Sequence, residues 1–91
     1  MTANTKRSCR HRLNRIEGQV RGIARMVEED RYCIDILTQN RAIQAALRGV
    51  EAEILKDHVE HCVEGAIASG DGDEQRRKVQ ELLNVLTTRD R

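Results

Sequence analysis

The sequence predicts an all-α protein of three helices, the second much longer than a domain of this size needs. Apolar residues recur with helical period in three segments, no segment shows the alternation typical of a strand, and the 91 residues include no proline. The only loop rich in glycine and aspartate is the run SGDGD at residues 69–73. We therefore expect one helical domain over residues 1–91.

The first helix is predicted from about Thr5 to Glu29, after a flexible tail of residues 1–4. Residues 1–25 carry seven Lys and Arg side chains against the single carboxylate of Glu17, although the whole chain has a net charge of only +1. Basic charge concentrated on one element is typical of a surface that binds a polyanion, although a solvated helix face shows the same clustering. The predicted buried face consists of apolar residues at helical spacing: Leu13, Ile16, Val20, Ile23 and Val27.

The second helix is predicted from Arg31 to Ala68, with Asp30 as its N-cap. The short link to the first helix favours an antiparallel hairpin. The third helix is predicted from Asp73, its N-cap, to about Thr88. Its predicted buried residues are Val79, Leu82, Leu83 and Leu86.

Two thiols and one imidazole point to a metal site. His58 and Cys62 lie four positions apart on one helix face, and with Cys33 they make a set of two sulfurs and one nitrogen, which suits a soft metal. Cys33 precedes His58 by 25 residues, or about 38 Å along a straight helix. If two copies pack antiparallel about an axis near Ala46 and Leu47, Cys33 of one meets the other two ligands. The sequence therefore predicts a dimer with metal sites between its subunits.

Composition limits the class of protein. With 38% hydrophobic residues, no Trp or Phe and one Tyr, the core is thin, and oligomerisation would supplement it. We find no run of 18 apolar residues and no signal-peptide pattern, so we expect a soluble cytoplasmic protein with reduced thiols and no membrane partner. An enzyme is not expected, because a metal saturated by protein ligands has no open position for substrate.

Three sequence runs carry a family resemblance: RLNRIEGQVRGI at residues 12–23, MVEEDRYC at 26–33 and HVEHC at 58–62. Together they resemble the CsoR/RcnR family of bacterial metal-sensing repressors, over nearly the whole chain. The resemblance implies a disc-shaped homotetramer in which two antiparallel four-helix-bundle dimers associate. It also implies that the metal-free protein binds duplex operator DNA and releases it when the inducer binds.

Within that family, Cys33, His58 and Cys62 match the ligands of the copper(I) sensors, so the resemblance implies Cu(I) as the inducer. Nickel and cobalt sensors tend to have His at the position of Cys62, together with N-terminal ligands. The additional imidazole of His61 leaves room for Ni(II), Co(II) or Zn(II). A sensor of persulfide or electrophiles would use the two thiols without metal, and a metallochaperone would not need the basic helix.

Other positions receive roles from the resemblance or from their spacing. The resemblance places Tyr32 and Glu81 in the hydrogen-bond network that orients the metal ligands. His61 is predicted to be solvated or part of that network, because it points away from the ligand face. Cys9 and His11 have no partner at ligand spacing, and we expect structural roles for both.

The predicted DNA-binding surface is built from the basic side chains of the first two helices. The resemblance places Arg12 and Arg15 among the residues that contact DNA, and Arg41 and Arg48, seven residues apart on one helix face, extend the surface. Without interleaved aromatic residues, the pattern favours duplex DNA over single strands. The full set is Lys6, Arg7, Arg10, Arg12, Arg15, Arg21, Arg41 and Arg48.

Overall fold

The computed structural model describes residues 1–88, and these residues are helical apart from their first two positions and two short turns. The all-α prediction is confirmed. Helical structure covers every residue from Cys33 to Ala68, as predicted for the second helix, but it is not α-helical throughout. The elements are α1 (Ala3–Glu28), α2 (Cys33–Asp57), a π-helical turn (His58–Val63), α3 (Glu64–Ala68) and α4 (Gly72–Thr88).

Helix α1 begins earlier than predicted. The side-chain oxygen of Thr2 accepts a hydrogen bond from the Thr5 amide at 3.2 Å, and its carbonyl accepts one from the Lys6 amide at 3.0 Å. Thr2 is thus an N-cap that satisfies donors in the first turn. Ala3 and Asn4 consequently belong to α1, which starts two residues before the predicted Thr5, and the flexibility of residues 1–4 stays a prediction.

Asp30 ends α1 and does not cap α2, so its predicted role is wrong. It adopts a left-handed backbone with φ of 53°. Its amide donates to the Val27 carbonyl at 3.1 Å, and the Arg31 amide donates to the Met26 carbonyl at 3.0 Å. This pair of bonds is the Schellman motif, in which aspartate takes the position more often held by glycine. Helix α2 starts only at Cys33.

The chain divides into two compact units, residues 1–55 and the part from Lys56 onward. The first unit has a core of four buried side chains, Cys9 and Ile16 from α1 and Ile43 and Val50 from α2. A hydrogen bond of 2.8 Å from Ser8 Oγ to Glu53 Oε2 also joins the two helices. That residues 1–91 act as one domain stays a prediction, and its last three positions lie outside the described residues.

Only part of the predicted buried face of α1 is covered. Ile16 is buried and Ile23 half-buried, but Leu13, Val20 and Val27 are exposed. A single neighbouring helix covers a narrow strip, so the outer members of a wide apolar face stay in solvent. The prediction of burial is wrong for these three residues within one chain.

In the second unit, α4 packs against the π-helical turn and α3, and Ala66 is buried. Leu82 is half-buried, whereas Val79, Leu83 and Leu86, which were predicted to be buried, are exposed. The cause is the same as in α1, since a small unit cannot cover the apolar face of a 17-residue helix. No helix among residues 1–88 combines the length and apolarity needed to span a membrane.

The cap of α4 is Asp71, two residues before the predicted Asp73. Its Oδ1 accepts hydrogen bonds from the amides of Asp73 and Glu74 at 3.0 and 3.3 Å. Asp73 itself lies in the first turn, where Arg76 Nη1 donates to it at 3.3 Å. Gly70, with φ of 71°, provides the turn that brings Asp71 into the capping position.

We expect Asp71→Ala to lower the free energy of unfolding by about 1 kcal/mol, because two amides of α4 lose their acceptor. Chemical denaturation followed by circular dichroism measures the loss. Asp73→Ala is the matched control and should cost only a few tenths of a kcal/mol, because its ion pair is exposed. A larger loss for Asp73→Ala would show that the cap is assigned to the wrong aspartate.

Candidate metal centre and nucleic-acid interface

Cys33 is presented by the start of a helix. It is the first residue of α2, and its thiol is free and exposed. The Tyr32 carbonyl accepts hydrogen bonds from the amides of Asp35 and Ile36 at 3.0 and 3.3 Å, which fixes the first turn of α2. The Tyr32 side chain is itself exposed. Both the thiol and the phenol are therefore accessible from outside the chain.

His58 and Cys62 lie in the π-helical turn, which the sequence did not predict. The amide of Glu64 donates to the carbonyl of Val59, five residues earlier, so this turn holds one residue more than an α-helical turn. Both side chains, the imidazole and the thiol, are half-buried. Single π-helical turns occur frequently at functional sites. Two of the three predicted ligands, an imidazole and a thiol, thus lie in the same turn.

His61 faces a buried carboxylate that the sequence analysis missed. Its Nε2 lies 3.8 Å from Oδ1 of Asp57. Asp57 is only 6% exposed and is the one buried charged side chain among residues 1–88, whereas the His61 side chain is 52% exposed. In the sequence, the only sign of this carboxylate is that Asp57 directly precedes the predicted ligand His58. Because charged residues are rarely buried, that position alone does not predict the burial of Asp57. The predicted role of His61 in orienting the ligands stays a prediction.

Glu81 is half-exposed on α4 and lies 3.8 Å from Nζ of Lys78, which also lies 3.9 Å from Glu74. Within the described part of the second unit, no hydrogen bond joins Glu81 to His58. Residues 1–88 also contain no group of three or more His, Cys, Asp or Glu side chains placed to hold a metal ion. The link between Glu81 and the imidazole stays a prediction.

The remaining cysteine and histidine differ in environment. Cys9 is buried in the core of the first unit, which agrees with the structural role predicted for it. His11 is exposed and lines an open cleft with Arg7 and Glu53. One carboxylate oxygen of Glu53 accepts from Ser8, while the other is buried without a hydrogen-bond partner among the described residues.

All the predicted DNA-binding side chains are exposed on α1 and α2. Arg12 and Arg15 line a groove between these helices, with a volume of about 360 Å³ and a floor of small residues. Arg21 differs from them, because its Nη1 forms an exposed ion pair of 2.7 Å with Glu17, the single acidic residue of the basic segment. Arg12 and Arg15 thus share one groove, whereas Glu17 partly neutralises the charge of Arg21.

A family model described as metal-sensitive transcriptional repressor matches residues 5–88, nearly the whole chain. The chain belongs to this family. Metal-sensitive transcriptional repressors are regulators and not enzymes, so the prediction that the protein is not an enzyme is confirmed. The resemblance drawn from the sequence is confirmed by the same match.

Relatives of known function share much of the sequence. The copper-sensing transcriptional repressor CsoR of Bacillus subtilis strain 168 is 57% identical over 76 residues, which cover 84% of this chain and 72% of that protein. The copper-sensing transcriptional repressor RicR of Mycobacterium tuberculosis H37Rv is 61% identical over 59 residues, 65% of this chain and 62% of RicR. The alignment with RicR thus spans less than two thirds of that protein.

Solved structures of metal-sensitive repressors share the fold. The crystal structure of the copper-sensing repressor CsoR with Cu(I) from Geobacillus thermodenitrificans NG80-2 matches with a TM-score of 0.82 and 45% identity, over 97% of this chain and 92% of that chain. The nickel-responsive transcriptional regulator InrS matches with a TM-score of 0.77 and 37% identity, over 86% of this chain and 88% of that chain.

Proposed function

We propose that this protein is a cytoplasmic, copper(I)-responsive transcriptional repressor that binds operator DNA when metal-free and releases it when Cu(I) binds between subunits. The observation that carries the proposal is a half-buried imidazole and thiol in one π-helical turn, in a chain 57% identical to a copper-sensing repressor. Cu(I) is soft and favours sulfur ligands. Two thiolates and one imidazole would hold it three-coordinate.

The third ligand in this proposal is Cys33 of a second copy. The thiol of Cys33 is exposed at the first residue of α2, where a partner chain can reach it. His58 and Cys62 supply the other two ligands from one turn. A site divided between chains makes metal affinity depend on how the chains are arranged, which is the requirement for a switch.

Exposed apolar surface supports an oligomer. Leu13 and Val20 of α1, Leu47 of α2 and Leu83 of α4 are each more than 40% exposed in the isolated chain. Association with further copies of the chain would bury these residues and enlarge the thin core of the single chain. We propose an antiparallel dimer of the four-helix-bundle type and the association of two dimers into a homotetramer.

Operator DNA is proposed to bind the basic surface of α1 and α2. Arg12 and Arg15 at the groove present charged donors that fit phosphate oxygens bidentately. Binding of metal at the intersubunit sites would favour an arrangement of subunits in which these surfaces no longer match the spacing of the duplex. The coupling free energy is the difference in metal affinity between the two arrangements.

Nickel is the second candidate inducer, because the chain also matches the nickel-responsive regulator InrS and places His61 one residue before Cys62. Ni(II) prefers more nitrogen ligands and a higher coordination number than Cu(I). The coordination of the bound metal therefore separates the two inducers.

We expect X-ray absorption of the copper-loaded protein to show two sulfurs and one nitrogen around the metal. Sulfur scattering distinguishes thiolate from imidazole and carboxylate ligands, and Cys33→Ser should remove one sulfur. Cys9→Ser is the matched control and should leave the spectrum unchanged, because Cys9 is buried in the core of the first unit. A four-coordinate shell rich in nitrogen would contradict copper and support nickel or cobalt.

We expect His58→Ala to keep copper bound but to stop copper from releasing DNA. Two thiolates can still hold Cu(I) in linear coordination, whereas the imidazole link to Glu81 and Tyr32 is lost. Copper affinity by competition with a chelator and DNA release by fluorescence anisotropy measure the two effects separately. His61→Ala is compared with it: behaviour like that of wild type would place His61 outside the network that orients the metal ligands.

If His58→Ala still releases DNA on adding copper, the proposed role of this imidazole is wrong. Should the wild-type protein ignore copper but leave DNA on adding persulfide, the protein is a thiol sensor and the metal proposal fails.

We expect Arg12→Ala/Arg15→Ala to weaken operator binding and to leave copper affinity unchanged. Each lost phosphate contact lowers the slope of log K against log salt by about 0.9. Arg76→Ala/Arg77→Ala on α4 is the control for the loss of two charges, since both arginines pair with acidic residues of their own helix. Equal binding and slope in the two double variants would show that Arg12 and Arg15 only face solvent.

A further inference from the structure

We propose that Gly49 is a positioning residue for operator DNA, which it serves by letting the guanidinium of Arg12 lie against the backbone of α2. The proposal rests on the proposed function, in which Arg12 contacts phosphate. It adds a requirement on the second helix: position 49 must carry no side chain.

The geometry of the groove supports this role. A β-carbon at position 49 would lie 3.1 Å from Nη1 of Arg12, closer than ordinary van der Waals contact, which begins at about 3.4 Å. Of the six glycines, Gly49 is the only one with such a neighbour, since the other five have nothing within 4 Å. Adding a methyl group at this position therefore requires Arg12 to move, whereas the same change elsewhere meets open space.

The position of Gly49 in its helix explains why Arg12 reaches it. Val50, the next residue, is buried in the core of the first unit, and Ala46, three residues earlier, packs on that core. Gly49 thus lies at the border of the face that α2 turns toward α1. Arg12 lies between Cys9 and Ile16, which are also buried in that core, so its side chain leaves α1 at the facing border.

Arg12 is also free to bind phosphate. Within residues 1–88 its guanidinium forms no hydrogen bond or ion pair with another side chain, in contrast to Arg21, which is paired with Glu17. Its close approach to α2 at Gly49 restricts the rotamers of this long side chain without occupying its donors. A restricted donor loses less conformational entropy when it binds phosphate than a fully mobile one.

Glycine in a helix interior is otherwise unfavourable. Alanine at position 49 raises helix propensity, so Gly49→Ala should unfold at an equal or higher temperature than wild type. A variant that is at least as stable but binds DNA less tightly separates positioning from a general loss of structure.

The test compares operator binding by metal-free wild type, Gly49→Ala, Arg12→Ala and the double variant Arg12→Ala/Gly49→Ala. Fluorescence anisotropy over a range of salt concentrations gives both Kd and the salt slope. We expect Arg12→Ala to weaken binding by up to roughly tenfold at 0.1 M salt and to lower the slope, because a phosphate contact is lost. Gly49→Ala should weaken binding by a smaller factor and keep the slope, because the contact is still made but by a more mobile side chain. In the double variant, alanine at position 49 should add no further loss, because Arg12 is already absent.

Gly65→Ala is the matched control, since it makes the same change in a helix with nothing within 4 Å, and it should bind DNA like wild type. Sedimentation velocity on every variant reports the oligomeric state, which should not change. Loss of binding by Gly49→Ala that persists at equal size in the Arg12→Ala background, or that comes with a changed oligomer, overturns the inference, because the methyl group then acts on subunit packing.

The inference and the proposed function fail in different ways. If Gly49→Ala binds like wild type while Arg12→Ala is weakened, Gly49 does not position Arg12 but the DNA surface stands. If Arg12→Ala binds like wild type, the DNA surface itself is misplaced.

Discussion

The packing of α1 against α2 through a four-residue core is the contact on which the proposed DNA-binding surface depends. Cys9 and Ile16 are seven residues apart, two helical turns, and they fix which side of α1 faces α2. Once that side is set, Arg12 must emerge at the border and meet α2 at Gly49. The same packing opens the groove that Arg15 shares. A small core thus determines where charge is presented, although it covers little of the apolar surface.

The placement of the predicted ligands His58 and Cys62 depends on a different constraint, the hydrogen-bond register of the π-helical turn. In the π-helical turn the backbone bonds run over five residues, so the side chains around His58 and Cys62 are spread over more residues than in an α-helix. His58 and Cys62, the two predicted ligands in this region of the chain, are half-buried and lie in a turn that departs from α-helical geometry.

The fold class and the approximate extents of the helices could be predicted from sequence because both depend on local periodicity, whereas the metal-ligand set stays a prediction. Asp30 and Asp71 could not be assigned correctly, because a cap is defined by backbone dihedrals and a pair of hydrogen bonds, which the residue type does not fix. At the start of α4, two aspartates, Asp71 and Asp73, were both candidates. The π-helical turn is hidden for a related reason. Six residues are too few for a change of period to show in the pattern of apolar side chains.

The division of the apolar residues between buried and exposed could not be read from sequence, and it bears on the mechanism. Periodicity predicted a buried face on α1, but Val20 and Val27 on that face remain in solvent within one chain. A single chain covers only the residues next to α2. In the proposed oligomer, burial of the remaining apolar surface and completion of the proposed metal site require the same event, the arrival of another copy. If one association supplies both core and ligands, metal that binds one arrangement of subunits more tightly also stabilises that arrangement. The stabilisation grows with the logarithm of the metal concentration relative to its Kd. Helix α2 carries both Cys33 and Gly49, so any shift of α2 within the proposed assembly moves the two together. No separate chain of contacts is therefore needed to couple the proposed metal site to the proposed DNA-binding surface.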